Sequence, residues 1–408
     1  MLASFRQKVT RAIGAQPFQL LILLAYYGAF IGLGVGGSVI GPTLPSLAAL
    51  TGTRIGALGI IFFLRSMGYM IGTVTLARLV DRIKIHPLMG AVTIAAGLLI
   101  FFIPGFSSLW IMGGIFLLIG LMDSVISVAA NTGIVWMFKD RSDPVITGLH
   151  FSFGVGAFLG PVIVAQLLEK ANGLNWVFGI VAAYYLVVGA GMFLLADSPT
   201  PTESHQEARL ATTRSDYCLV AITAIFLFFY VGAEISFSGW FFTFLTTLNL
   251  VGEQTAAYMN SAFWFAFTAG RLLTILLTMR FKPPVILPVA LTGCLITAIL
   301  LLVLPLQPGT LWAITLALGF FMAPIFTGGF TWASQTLRLT GRLTGIIFMG
   351  DSMGAMILPW LTGRIIDATS PRALPPAFLV IVLLNLISFF LMSGLIRKRK
   401  STELVKSV

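Results

Sequence analysis

Apolar runs of about 20 residues, the length a bilayer-spanning helix needs, recur along this chain from one end to the other. Bounded by charges, Gly and Pro, they predict helices over 17–45, 54–80, 87–105, 108–138, 144–168, 174–196, 217–248, 254–279, 283–305, 310–336, 343–366 and 374–396. These are numbered spans 1 to 12. No hydrophilic stretch between them is long enough to fold as a separate soluble domain. Charged residues make up only 10% of the chain, far below the roughly 25% of soluble domains. The fold class that follows is an all-α integral membrane protein. The first apolar run has no short apolar core followed by a cleavage site, so it reads as a retained span rather than a signal peptide.

A net charge of +11 raises the question of nucleic acid. Its distribution answers it. With both termini cytoplasmic, the inner loops and tails hold 19 of the 25 Lys and Arg, and the outer side holds Arg54, Lys170, Arg364 and Arg372. That asymmetry is the positive-inside bias of membrane proteins, and Arg397-Lys398-Arg399-Lys400 is then an anchor near anionic headgroups. The expected partners are a lipid bilayer and a small-molecule substrate, with no nucleic acid. The expected location is a bacterial inner membrane. Cys218 and Cys294 sit inside apolar runs, and no His or Cys spacing suggests a metal site. No phosphate-cradling Gly-x4-Gly-Lys-Ser/Thr loop and no Ser/His/Asp set stands out. An enzyme is not expected, nor a cofactor beyond a coupling ion, H⁺ or Na⁺.

The longest polar segment, Ser198 to Asp216, falls after span 6 and has a linker composition. It divides the chain into an N-terminal six-helix bundle (1–197), a cytoplasmic linker (198–216) and a C-terminal six-helix bundle with a basic tail (217–408). The halves resemble each other. Thr147-Gly148, Gly156-Ala157 and Pro161 of span 5 recur as Thr344-Gly345, Gly354-Ala355 and Pro359 of span 11, and Glu169 and Asp367 follow the two prolines at equal distance. Gly72, Arg82 and Lys84 match Gly270, Arg280 and Lys282 at an offset of 198. Such repeats predict two pseudo-symmetric halves with the substrate held near midplane.

These features resemble the major facilitator superfamily over essentially the whole chain. Ala77-Arg78-Leu79-Val80-Asp81-Arg82-Ile83-Lys84 is similar to that family's loop motif Gly-x-x-x-Asp-Arg-x-Gly-Arg-Arg, with its Asp-Arg core kept and its two glycines replaced by Ala77 and Lys84. Gly156-x3-Gly160-Pro161 resembles its span-5 glycine–proline motif, common in antiporters. Within the family, Gly41-Pro42-Thr43-Leu44, Asn131, Leu149-His150-Phe151 and Gly232-Ala233-Glu234 resemble the sodium-dependent glucose transporter-like and fucose permease-like branch. The resemblance implies a monomer whose spans 1, 4, 7 and 10 line a cavity. It also implies that Asp81, beside Arg82, is attracted to the positive end of span 11 as an inner latch; a solvated loop carboxylate is the alternative.

Charged groups inside a bilayer are costly, roughly 2.5–3.5 kcal/mol on insertion scales, and mark function by default. Arg65, Asp123, Glu234, Arg271 and Asp351 are the candidates. Asp123, Ser127 and Asn131 form one stripe of span 4, and Tyr230, Glu234 and Ser238 one of span 7. Asn260, Trp264, Thr268 and Arg271 line one side of span 8, and Thr327, Thr331 and Gln335 one side of span 10. The stripes read as cavity-lining, with interhelical packing as the alternative. Amides, hydroxyls and few charges, with Trp136, Trp240, Trp264 and Trp332 nearby, suit a neutral polyol. The expected substrate contacts are Asn131, Ser127, Tyr230, Glu234, Asn260, Trp264, Thr331 and Gln335. Asp123, Glu234 and Asp351 are the expected ion-coupling groups. Arg65 is expected to pair with Asp351 as a gate or with Asp123 as a structural bond, and Arg271 with Glu234 or a substrate hydroxyl. His150 is a proton relay or, more simply, a packed histidine. The function expected is secondary active transport of a small neutral solute, most simply a hexose, and the runner-up is a proton-coupled exporter of drugs or metabolites. Because Ser198 to Asp216 is polar and lacks a core, limited proteolysis of the folded protein is expected to cut there first and give two six-helix fragments; first cuts within spans 5 or 8 would contradict the division.

Overall fold

A computed structural model describes residues 17–76, 80, 82–195, 214–337 and 341–406, all helix or connecting turn. Twelve of its helical segments are long and apolar enough to cross a membrane, from Gln19–Ser38 to Pro371–Arg399. Helices dominate because a bilayer supplies no hydrogen-bond partner, so each segment must satisfy its own backbone. Two spans are not the single helices expected. Span 1 runs Pro17–Ser38, breaks at Val39 and resumes as Ile40–Thr51. Span 10 runs Pro308–Met322 and resumes as Ile325–Ser334. Pro324, which has no N–H to donate, sits in the second break.

Packing groups the chain into two units. The first comprises the residues up to Ile40 and those from Met67 through span 6; the second comprises Gly41–Ser66 and the residues from span 7 onward. By sequence Gly41–Ser66 belongs to the first half, but it packs in the second unit.

In the first unit, spans 1 and 5 meet backbone to backbone. A Cβ on Gly34 would collide with the Phe153 carbonyl oxygen, and one on Gly156 with that of Ile31. Small residues are the usual means of close approach between membrane helices, where no hydrophobic force drives association. Gly68 meets the Leu117 carbonyl of span 4 in the same way, and Gly72 the Ser124 hydroxyl. Tyrosines tie the periphery: Tyr184 Oη donates to Gly28 O at 2.8 Å and Tyr27 Oη to Val145 O at 3.1 Å. Tyr26, Phe30, Met89, Ile126 and Leu149 lie in the core beneath them.

The second unit repeats this plan. A Cβ on Gly350 would meet the Ala224 carbonyl and one on Gly354 that of Phe228, so span 11 packs on span 7 as span 5 packs on span 1. Gly270, the repeat partner of Gly72, abuts span 10, where a Cβ would lie 2.7 Å from that of Ala323. The internal repeat in the sequence is thus a repeat of close contacts.

Gly41–Ser66 is seated on spans 7 and 11. The Gly56 N–H donates to Asp367 Oδ1 at 2.7 Å. Side chains are excluded from this seam: a Cβ on Gly363 would lie 2.6 Å from the Gly56 carbonyl oxygen, and one on Gly41 2.7 Å from that of Ser238. Aromatic rings close its flanks, with Phe62 6.0 Å from Trp240 and Phe63 5.8 Å from Trp360.

The packing makes one glycine indispensable and another replaceable. Gly354→Leu places a side chain against the Phe228 carbonyl and is expected to cost at least the ~1–3 kcal/mol of an overpacked core, read as a lowered Tm in detergent. Gly345→Ala, in the same helix but with open space around its Cα, is expected to leave Tm unchanged or raise it slightly.

Candidate transport site

Three helices of the second unit supply its buried polar groups. Tyr230, Glu234 and Ser238 follow one another at four-residue spacing on span 7 and so share a face. Tyr230 is 1% exposed, and its hydroxyl donates to the Met322 carbonyl at 3.0 Å. Met322 ends the first piece of span 10. The break beyond it, which contains Pro324, presents a carbonyl that an unbroken helix would spend on itself. Glu234, one turn on from Tyr230, is buried and electrostatically coupled to Arg271 of span 8. The Arg271 guanidinium lies 4.4 Å from the centroid of the Phe267 ring, one turn earlier in its own helix, a cation–π placement that orients it.

A second carboxylate completes the set. Asp351 of span 11 accepts a hydrogen bond from Ser352 Oγ at 3.0 Å and is electrostatically coupled to Glu234. Glu234 therefore interacts with Arg271 on one side and with half-buried Asp351 on the other, and ionising both carboxylates would set two like charges against each other. That repulsion is costly unless a proton or a cation offsets it.

Asn260 of span 8 is held below this group. Its Nδ2 donates to Ser238 O at 2.9 Å, while Ser238 Oγ donates to Glu234 O at 2.9 Å. Asn260 Oδ1 is buried with no hydrogen-bond partner among the described residues. An amide pinned by its nitrogen with its oxygen open is oriented to accept from a hydroxyl. Trp264, one turn on, is buried edge-on between Phe263 and Phe267.

The span-10 stripe has a different environment. Thr327, Thr331 and Gln335 are exposed, while Gly328, Gly329 and Trp332 on the other face are buried. Two of the tryptophans read as a sugar-stacking surface are spent on packing instead. Trp240 is fully buried and donates to Pro359 O at 2.8 Å, and Trp332 packs 5.9 Å from Phe389.

In the first unit Asp123 is buried and Ser127 and Asn131 are half-buried along span 4. Asn131 Nδ2 donates to Ser127 O at 2.9 Å within its own helix, which leaves the rest of the amide for other partners. His150 stands edge-on to Phe30 at 5.8 Å, a packing contact. His86, which the sequence reading passed over as a span boundary, is fully buried and edge-on to Tyr26. Its only signal in the sequence was its place at the start of an apolar run. Arg82 is exposed, and Asp81 lies outside the described residues.

The Arg65–Asp351 pair does not form among the described residues: the partners of Asp351 are Ser352 and Glu234. The reason is register. Phe63 is level with Trp360. Asp351 stands nine residues back from Trp360, about 13 Å along the helix, whereas Arg65 is only about 3 Å beyond Phe63. The sequence also gave no hint of Met322, since a carbonyl becomes available only once the break in span 10 is known.

Known proteins resemble this chain in sequence and in fold. The family model described as Major Facilitator Superfamily matches residues 23–350. The mouse protein named sodium-dependent glucose transporter 1A is 29% identical over 374 residues, covering 83% of this chain and 88% of the relative. Its human counterpart, sodium-dependent glucose transporter 1, is 26% identical over 370 residues, covering 82% and 71%. Among solved structures, a bacterial homologue of the human lysosomal transporter Spinster superposes with a TM-score of 0.76 at 14% identity, covering 94% of this chain and 99% of that one. The nucleoside transporter NupG gives 0.69 at 12% identity, covering 93% and 99%. Those likenesses are of fold alone. The family match takes in most of the chain, which belongs to the major facilitator superfamily and is a multi-pass membrane transporter, not an enzyme.

Proposed function

We propose that this transporter carries a small neutral solute, a monosaccharide such as a hexose, by alternating access coupled to H⁺ or Na⁺. The observation that carries the coupling is the buried carboxylate Glu234, electrostatically coupled both to Arg271 and to a second carboxylate, Asp351. Neutralisation by an ion changes the electrostatics of spans 7, 8 and 11 together, and that is what a coupling step requires. Asp123 is the third candidate. The carbonyl at the broken span 10 suits Na⁺, as in other transporters with interrupted helices, and two relatives are named for sodium dependence.

The neutral, hydroxyl-bearing substrate is supported by the chemistry of the polar groups. Asn260 offers an oriented acceptor, Tyr230 and Glu234 lie beyond it, and Trp264 supplies an aromatic edge. Ser127 and Asn131 of the first unit, with Thr331 and Gln335 of span 10, are the further contacts proposed. Arg65, Arg271, Asp81 and Arg82 are assigned to gating. Both termini are placed in the cytoplasm by the basic loops, the membrane is taken to be a bacterial inner membrane, and the working unit is a monomer.

Two experiments test the reading. A hexose is expected to raise Tm, because a ligand that binds only the folded state stabilises it. Asn260→Ala is expected to weaken that binding by ~1–3 kcal/mol. If lipophilic cations bind and no sugar does, the chain is an exporter. In proteoliposomes with pH and Na⁺ gradients imposed separately, Glu234→Gln is expected to abolish uphill uptake and spare exchange at equal concentrations. Exchange needs only the loaded carrier to reorient, whereas accumulation needs the ion. Accumulation at the parent level by Glu234→Gln, Asp351→Asn and Asp123→Asn alike would make all three carboxylates structural.

A further inference from the structure

A second recess lies away from the buried polar groups. Spans 8, 9 and 10 enclose a groove of about 250 Å³ lined by Thr274, Leu277, Phe281, Val289, Phe320 and their neighbours. Thr274 is its one side-chain hydroxyl, and its Oγ1 is already spent on the Gly270 carbonyl at 2.7 Å. The groove therefore offers its occupant no hydrogen bond. Its rim is open: Phe281 is 47% and Val289 62% exposed.

Its length is that of one leaflet. The span-8 wall runs from Gly270 to Phe281; its helical part, to Thr278, rises about 12 Å, and the turn carries the wall further. Half of a ~30 Å hydrocarbon core is ~15 Å. The end deep in the membrane stops at Phe320, Phe321 and Pro324, the break of span 10. The end at the membrane surface is basic. Arg280 and Lys282 flank Phe281 in the turn between spans 8 and 9, and both are exposed. Neither has an ion-pair partner among the described residues. The sequence supplies none nearby, since no Asp or Glu occurs between Glu253 and Asp351.

From this we infer that the groove binds an anionic phospholipid, with one acyl chain lying along span 8 and the headgroup held by Arg280 and Lys282. The apolar lining selects a chain, its length selects a single leaflet, and the two unpaired cations select a negative headgroup. The bound chain reaches Pro324, two residues from the carbonyl that receives Tyr230, so the lipid buttresses the break in span 10. The site is independent of the solute that is carried.

The test uses the full-length protein in mixed micelles with phosphatidylglycerol bearing a photoactivatable diazirine midway along one acyl chain. The phosphatidylcholine of the same chain is the control. Mass spectrometry is expected to find the crosslinks on residues 270–290 and 320–324, with phosphatidylglycerol labelling well above phosphatidylcholine. Arg280→Gln with Lys282→Gln is expected to lower phosphatidylglycerol labelling roughly thirtyfold, as two surface cations would, and to leave the control unchanged. Both are exposed turn residues, and an unchanged Tm in lipid-free detergent confirms the fold. Equal labelling by the two lipids, crosslinks elsewhere, or a phosphatidylglycerol preference that survives the double variant would overturn the inference. The last outcome would move headgroup recognition to another basic surface such as Arg397–Lys398.

Discussion

Everything in this structure depends on helices that approach one another until a glycine Cα rests on a carbonyl of its neighbour. Gly156 against Ile31 and Gly354 against Phe228 set how near spans 5 and 11 come to spans 1 and 7. In a bilayer no hydrophobic force favours helix against helix over helix against lipid, so this close fit is the main cohesive contribution. It also sets the depth at which the polar stripes lie. Glu234 is six residues beyond Phe228 and Asp351 three before Gly354. The same contact that holds the two helices together therefore fixes the two carboxylates at different depths, about nine residues apart along the parallel axes.

That placement gives the second unit its chemical character. A lone buried acid in a membrane helix neutralises itself by holding a proton. Glu234 is in a different position, because a guanidinium and a second carboxylate both act on it and its charge state answers to whatever ion is available. Arg271 is kept in place by the Phe267 ring rather than by a bidentate ion pair, which leaves it free to follow changes of charge on Glu234. One turn before the same carboxylate, the Tyr230 hydroxyl is tied to the interrupted helix through the Met322 carbonyl.

The spans and their number were legible because a 20-residue apolar run has few alternatives. The repeat was legible because the close contacts demand glycine at fixed positions, and Gly156 and Gly354 are part of it. Glu234 and Arg271 were legible as intramembrane charges at helical spacing. What escaped was anything dependent on axial register between helices. Arg65 and Asp351 each lie near the middle of a span, yet the pairing fails by about two turns. Trp240 and Trp332 showed aromatic chemistry in sequence, but whether a ring faces a ligand or a core is settled only by its neighbours. The break in span 10 was marked by Pro324, a weak signal because proline is tolerated in membrane helices.

The seating of Gly41–Ser66 on spans 7 and 11 gives the chain a property that its linker alone would not. The peptide chain passes between the two units at Ile40–Gly41 and at Ser66–Met67 as well as after span 6. Severing the polypeptide after span 6 therefore leaves the N-terminal fragment clasped to the C-terminal one, through the Gly56–Asp367 bond and the aromatic pairs on either side of it. The two fragments have the makings of a split protein that reassembles from separately made pieces.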